Sequence, residues 1–337
     1  MTNRQQIQEI PGALRMTLEK ARAEFGAVVR KVRWGDGPVL VCGAGDCAGL
    51  NVAASYAFET FPGWPVVARP AEVLQTYGLS LLKQHAVLVM ICAGSEPPES
   101  LELVQTAKKR GCNVVVLTNN PESALVKLAD HVLLIPTAGE ADSPAVAICL
   151  HAALNFLAFE AARLLKRPEP QWTQVAAEFE QLPDKIEWLF TQLPDVVRSL
   201  AAEVARLPVL RIVAGGFYHY PAMNAAWRMR SLKSPQVEYV EPSEFLRAPS
   251  HFARHDDAVL CLSGSHAKLK KLLHRCAEQV RANGARVLSL TDGNDRALVE
   301  GSDLGLLIPP LLEAPASTLA MFMMEWLASQ VPRPEKS

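Results

Sequence analysis

The sequence predicts two doubly wound parallel α/β domains in tandem, each a three-layer α/β/α unit. Three observations carry that expectation. Short apolar runs alternate with helix-period segments along most of the chain. The runs are almost continuously Val, Ile and Leu, as strands covered on both faces require. The whole pattern also occurs twice. Leu133-Leu134-Ile135-Pro136 recurs as Leu306-Leu307-Ile308-Pro309, and Leu117-Thr118-Asn119 as Leu290-Thr291-Asp292, both at an offset of 173 residues. Val41-Cys42-Gly43 pairs with Val213-Ala214-Gly215, and Ile91–Ser95 with Cys261–Ser265, at offsets of 172 and 170. Four matches in one order at nearly one offset indicate two copies of one domain. A length of 337 residues suits about two domains of roughly 100–200 residues each.

In the first copy the expected strands are Pro38–Cys42, Pro65–Ala68, Ala86–Cys92, Asn113–Leu117 and Val132–Ile135. Helix periodicity falls on Cys47–Phe61, Pro97–Arg110, Glu122–Ala129 and Pro144–Lys166. Pro97 and Pro98 open the second of these, where a missing N–H costs little, and Gly111 closes it after Lys108, Lys109 and Arg110. The second copy repeats the order. Its strands are Leu210–Ala214, Val237–Val240, Ala258–Leu262, Arg286–Leu290 and Leu304–Ile308, and its helices Ala222–Leu232, Ala267–Ala282, Asp295–Glu300 and Ala316–Ser329. Right-handed crossovers then wind each sheet on both faces. Residues 1–34 read as a helical arm broken at Pro11, 35–166 as the first domain, 167–208 as a proline-punctuated helical linker, 209–330 as the second domain and 331–337 as a tail.

Composition excludes several classes. Hydrophobic residues make up 49% and charged residues 20%, enough apolar surface to offset chain entropy, so wholesale disorder is out. The 34 Lys+Arg against 35 Asp+Glu leave a net charge of −1, which argues against nucleic-acid binding. No apolar run is expected to approach the roughly 18 residues of a membrane span, and Met1–Gln6 lacks the apolar stretch of a signal peptide. Seven cysteines without framework spacing suggest a reducing cytoplasm, with Cys42, Cys92, Cys149 and Cys261 as core residues. With neither CxxC nor HExxH, no metal is expected, and no cofactor.

Ligands in open parallel sheets bind beyond the carboxyl ends of the strands. Three first-half loops qualify: Gly43–Gly49, Gly94–Ser100 and Thr118–Ser123. Glycines at a helix start allow close backbone approach and favour an anion. Turn and cap chemistry explains the same residues without a ligand, and Glu96 and Glu99 oppose strong anion attraction in the second loop. Gly43, Gly45 and Gly49 also allow a dinucleotide fingerprint, with Glu72 as a loose ribose acid. A nucleotide-dependent oxidoreductase is therefore the remote alternative.

At these residues the chain resembles the tandem sugar isomerase (SIS) domain family, in particular the isomerase half of glucosamine-6-phosphate synthase and fructosamine-phosphate deglycase-like proteins. The likeness covers residues 5–330. Gln8-Glu9-Ile10-Pro11-Gly12-Ala13-Leu14 looks like the family's opening, Gly43–Cys47 like its GxGxS loop, and Cys92–Pro97 like its SQSGET loop. Leu117–Asp130 matches its LTN…S.LA..AD stretch, and Ala138-Gly139-Glu140 its AGPE segment. The resemblance implies flavodoxin-like sheets and a homodimer that binds a phosphosugar between modules. It places phosphate on first-half loops, with a catalytic glutamate and an HGP histidine from the second half.

The departures from the family bear on chemistry. The serine of GxGxS is Cys47, the serines of SQS are Cys92 and Gly94, and the threonine is Pro97. Asn224–Leu232 lines up with EGALKLKEI, with Arg228 and Arg230 at basic positions and Ser231 at the glutamate. Ser243–Pro249 looks like the HGP turn, with Arg247 at the histidine. Arginine keeps its proton at any accessible pH, and losing a general base typically costs about 10²–10⁴ in rate. The family's tail lysine has only Lys336 as a remote counterpart.

The candidate phosphosugar-binding residues are Gly45, Asp46, Cys47, Gly94, Ser95, Glu96, Ser100, Ser143, Arg228, Arg247, Ser263 and Ser265. Glu244 and His219 are the candidate acid–bases, with His266 also noted. Each has a plainer reading: Glu244 as a surface carboxylate, His219 as a structural donor near Tyr218 and Tyr220, and the arginines as a solvated helix face. Ser263-Gly264-Ser265 keeps the hydroxyls that the first half has lost. Two functions follow: an isomerase, deaminase or deglycase acting on a sugar phosphate, or a non-catalytic sugar-phosphate sensor. Enzymatic status stays open. A glutaminase activity is not expected, since the chain opens Met1-Thr2 without a cysteine nucleophile. The expected partners are a sugar phosphate and a second copy of the chain, with no nucleic acid and no membrane.

Overall fold

The described residues form two five-stranded sheets with every pairing parallel. The computed structural model describes residues 3–34, 36–94, 96–140, 142–165, 171–231 and 236–331, and within these the side chains of Asn3, Arg4, Asp46 and Ser231 are not described. The chain divides into two units, Gln8–Glu180 and Gln181–Ser337 with Met1–Ile7.

The first unit runs α1 (Asn3–Lys31), β1 (Val39–Gly43), α2 (Leu50–Thr60), β2 (Val66–Ala68), α3 (Ala71–Tyr77), β3 (Val87–Cys92), α4 (Pro98–Lys109), β4 (Asn113–Thr118), α5 (Ala124–Leu128), β5 (His131–Leu134), α6 (Pro144–Leu164) and α7 (Trp172–Glu180). Its strand order is β2-β1-β3-β4-β5. Alternate strand residues divide between two faces. Leu40, Cys42, Leu88, Met90, Val114 and Val116 pack on one face with Leu74 of α3 and Leu103 and Val104 of α4. The intervening Val39, Val41, Val87, Val89 and Val115 are also buried, which is why the strands read as continuous apolar runs.

Two expectations are corrected here. The arm is not broken at Pro11, since α1 continues through it. Proline removes one backbone donor, but Ile10, Leu14, Ala21 and Phe25 form a buried stripe that holds the helix. The expectation of no span-length apolar run also fails. Helix α6 is 21 residues long and apolar enough to cross a membrane by length and composition, and its apolar window is wholly buried inside the protein. A helix buried on all sides carries no polar face to interrupt the pattern.

The second unit runs α8 (Leu182–Gln192), α9 (Pro194–Val204), β6 (Val209–Val213), α10 (His219–Ser231), β7 (Gln236–Val240), α11 (Pro242–Arg247), α12 (Pro249–Phe252), β8 (Ala258–Leu262), α13 (Lys270–Ala282), β9 (Arg286–Asp292), α14 (Arg296–Glu300), β10 (Leu304–Ile308) and α15 (Glu313–Gln330). Read from its opposite edge, the order β10-β9-β8-β6-β7 repeats that of the first sheet. The duplication seen in sequence is thus repeated in topology. Helices α3, α11 and α12, of 7, 6 and 4 residues, were not expected from the sequence. Arg211 of β6 ties the sheet's entry side together, bonding Glu238 at 3.0 Å and buried Asp257 at 2.7 Å.

Candidate functional site

The order 2-1-3-4-5 sends the crossovers from β1 and β3 in opposite directions. The loops at their carboxyl ends diverge and leave a crevice. The same holds for β6 and β8.

In the first domain the loop after β1 is built by two glycines. A Cβ on Gly43 would stand 2.3 Å from the Cys47 carbonyl oxygen, so no side chain fits. Gly45 has φ +54 with open space where a side chain would go. A short 3-10 turn follows, with the Cys47 amide donating to Ala44 O at 3.1 Å. Cys47 is buried, and the Asp46 side chain lies outside the described residues.

The loop after β3 turns on Gly94, at φ +69, where a Cβ would fall 1.9 Å from Glu140 Oε2. The Glu140 side chain therefore lies directly against this turn. Ser95 lies outside the described residues. Glu96 turns away to cap α5, its Oε2 accepting from the Ala124 amide at 3.0 Å. Ser100, in the first turn of α4, is 0% exposed, and its hydroxyl has no partner among the described residues. Asn119 donates to Thr137 O at 3.2 Å and Gly139 O at 2.8 Å, anchoring the loop after β5. Ser143 sits at the start of α6 without capping it. Cys92 is no nucleophile: burial, reinforced by Glu96, pushes its thiol up to about 12.

The second domain is arranged differently. Gly216 takes φ +63, and a Cβ there would come within 3.2 Å of Glu313 Oε1. His219 begins α10, and its Nδ1 lies 2.8 Å from the Tyr239 hydroxyl and 3.0 Å from Glu241 Oε1. The Tyr239 hydroxyl donates to Ala214 O at 3.0 Å, so it accepts from His219. That network puts the imidazole proton on Nδ1. Burial holds the His219 pKa below the usual imidazole value, while Glu241 pulls it upward. The neutral ring then carries its lone pair on Nε2.

Arg228 is committed elsewhere. Its Nε donates to Glu325 Oε1 at 3.0 Å, and Asn224 donates to the same oxygen at 2.6 Å. Arg230 donates to Val237 O. Arg247 and Glu244 are exposed on α11, with no hydrogen bond between them and His219 among the described residues. Of the serines after β8, Ser263 is buried, and the hydroxyls of Ser263 and Ser265 are both buried with no partner among the described residues. The Ser231 side chain lies outside the described residues.

The structure thus brings His219 into one cluster with Tyr239 and Glu241, neither of which the sequence reading singled out. Asp292, Glu313 and Glu325 escaped it too. One signal was present: the recurring Leu-Thr-Asn triplet ends in Asp292 in the second copy.

The SIS domain model matches residues 37–164 and 211–329. The chain belongs to the SIS domain family. It is 23% identical over 88% of its length to the glutamine–fructose-6-phosphate aminotransferase (isomerizing) of Caldanaerobacter subterraneus, and 24% identical over 96% to that of Symbiobacterium thermophilum. It spans about half the length of these curated relatives, 50% and 54%. Among solved structures, the C-terminal domain of glucosamine-fructose-6-phosphate aminotransferase from Francisella tularensis superposes with a TM-score of 0.86 at 16% identity, covering 98% of this chain and 94% of that one. Tagatose-6-phosphate ketose/aldose isomerase from Escherichia coli gives 0.77 at 16% identity, covering 98% and 92%. Glucosamine-6-phosphate deaminase from Thermotoga maritima gives 0.73 at 17%, covering 98% and 94%. At such identities the superpositions establish the fold, and the fold is that of the sugar-phosphate isomerases.

Proposed function

We propose that this protein binds a phosphorylated sugar and acts on it by proton transfer, as an isomerase, deaminase or deglycase whose acid–base is His219. The observation that carries the binding half is Ser100. A buried hydroxyl without a partner costs about 1–3 kcal/mol, and this one, without a partner among the described residues, stands in the first turn of α4, the helix that follows β3. A phosphate there would accept from Ser100 and from backbone amides of the two glycine loops. The relatives' names, all acting on six-carbon sugar phosphates, support the substrate class. The chemical half rests on His219, with Glu241 and Tyr239 fixing its Nδ1 proton.

A second reading is favoured by particular residues. Arg228 is bound to Glu325, and an exposed arginine, Arg247, stands at the family's histidine position. Those features suit a sensor that holds the sugar without turning it over. Homodimerisation, a cytoplasmic location and domain boundaries at 35–166 and 209–330 belong to the same proposal. All seven cysteines are buried, in keeping with a reducing compartment.

The test is a thermal-shift screen with fructose, glucosamine and fructosamine 6-phosphates, followed by turnover of whichever binds. A ligand at about 100 times its Kd should stabilise by roughly 2.7 kcal/mol, and Ser100→Ala should weaken it. Binding with turnover that His219→Gln abolishes supports the enzyme. Binding without turnover supports the sensor. No stabilisation by any of the three removes the proposal.

A further inference from the structure

The loop after β8 has the parts of an anion cradle. Ser263 and Ser265, on either side of Gly264, carry buried hydroxyls with no partner among the described residues. Lys270 Nζ bonds Ser265 O, fixing a cation on the loop. Ser265 lies beyond the carboxyl end of β8, at the sheet's switch point, where the amides of such a loop can meet a phosphate. The Ser265 amide is already engaged. It donates to Asp292 Oδ2 at 2.6 Å, while Oδ1 takes the Asn294 amide at 2.9 Å. Asp292 is 2% exposed. A Cβ on Gly264 would lie 3.2 Å from Asp292 Oδ2 and 2.6 Å from the Tyr218 hydroxyl, so the loop packs directly on the carboxylate. Glu313 adds a second acid, accepting from the Lys268 amide at 3.3 Å.

The first domain has Asn119 where the second has Asp292, at the repeat offset of 173. A neutral amide side chain can donate, and Asn119 does so, to Thr137 O and Gly139 O. A carboxylate can only accept, so it seeks amide donors. In the second domain the acid at this position takes the loop amide of Ser265 for itself.

We propose that Asp292 is a built-in anion. It occupies the place a phosphate would take on the second domain's loop, excludes anions there, and restricts the chain to the first domain's cradle. Only that last clause rests on the function proposed above. A carboxylate held by charge-assisted bonds repels a second anion and already satisfies the donor it would need.

The probe is inorganic phosphate, counted by equilibrium dialysis on the full chain for wild type, Asp292→Asn and Asp292→Ala. Wild type should bind at most one phosphate per chain, and at least one of the variants should bind one more than wild type. Variants that keep the wild-type melting temperature and the wild-type count would overturn the inference. The Ser265 amide resonance of wild type gives an independent reading should both variants unfold. It should not move with phosphate, and a saturating shift would also overturn the inference. Loss of wild-type binding alongside an added site in a variant would remove the function proposed above and leave this inference standing.

Discussion

The two domains share a strand order, a glycine turn after their first strand, and a buried asparagine in the helix that follows, Asn51 in α2 and Asn224 in α10. They differ in what those asparagines meet. Asn224 donates to buried Glu325, which also holds Arg228. Asn51 is 1% exposed, and both its side-chain polar atoms lack a partner among the described residues. A related contrast runs through the crevices: in the second domain the amides of Ser265 and Lys268 are met by Asp292 and Glu313, while in the first the Ser100 hydroxyl has no partner among the described residues. One backbone plan therefore supports a domain that meets loop amides and its helix asparagine with buried acids, although Ser263 and Ser265 stay without partners among the described residues, and another in which Asn51 and Ser100 find none there. Copying a fold does not copy its hydrogen bonds, because those depend on single residues brought from distant parts of the chain.

The largest break in this comparison should come from Arg228→Met. It leaves Glu325 as a buried carboxylate with one amide partner and should cost about 3–5 kcal/mol of second-domain stability, read by urea unfolding. Burial raises the Glu325 pKa, with Arg228 opposing. The penalty should therefore shrink as the pH falls and the carboxyl becomes neutral.

Acid should separate the domains next. Burial drives His151 down to about 3 from 6.5. Its folded value is depressed, so the stability it contributes is full above pH 6.5 and is lost as the pH falls toward 3. Each unit is worth about 1.4 kcal/mol, so the first domain should weaken by several kcal/mol. Asp130, lowered by Lys108 and the Val114 amide against the effect of burial, adds to this loss. In the second domain Glu325 and Glu313 are raised by burial. Their contribution is present at low pH and lost as the pH rises through their folded values, so acid should favour that domain, with His219 opposing in part. Hydrogen exchange at pH 6.5 and 4.5, corrected for intrinsic rates, should show protection falling in residues 36–165 before residues 209–331. Equal loss in both would break the comparison.

The asparagines sharpen it directly. Asn224→Leu removes a donor from a buried charge and should cost about 1.5–3 kcal/mol, whereas Asn51→Leu should be neutral or stabilising, since it removes groups that are already unsatisfied. Comparable losses at both sites would mean that Asn51 has a partner in solution. The smallest effect should be Glu241→Gln. Without the carboxylate that raises it, the His219 titration midpoint should fall further, seen in its ring-proton NMR shift.

Much of the architecture was legible in the sequence. All ten strands lie within a residue or two of the apolar runs, most sharply for β1, β3 and β8, which are buried on both faces and have no polar positions to blur them. The tandem repeat predicted the shared strand order. The glycine loops were found because turns at φ +54 and +69 leave few residue choices. The missed α3, α11 and α12 are short pieces of the connections between strands, and the proline in α1 was outweighed by packing. At the site, the repeat displayed the change from Asn119 to Asp292 but not its consequence, and His219 was noticed without Glu241 or Tyr239.

The sequence alone determined the number of domains, the order of their elements and the places where a loop must turn tightly. Each follows from local pattern, side-chain volume and backbone freedom within a few residues. Only the tertiary structure decided that Asp292 lies on the Ser265 amide, that Glu325 claims Arg228, and that Ser100 is left over. Those pairings join residues far apart in the chain. Their outcome turns on ångström-scale distances between groups that burial has removed from water, where a carboxylate must find a donor and a hydroxyl without one is costly.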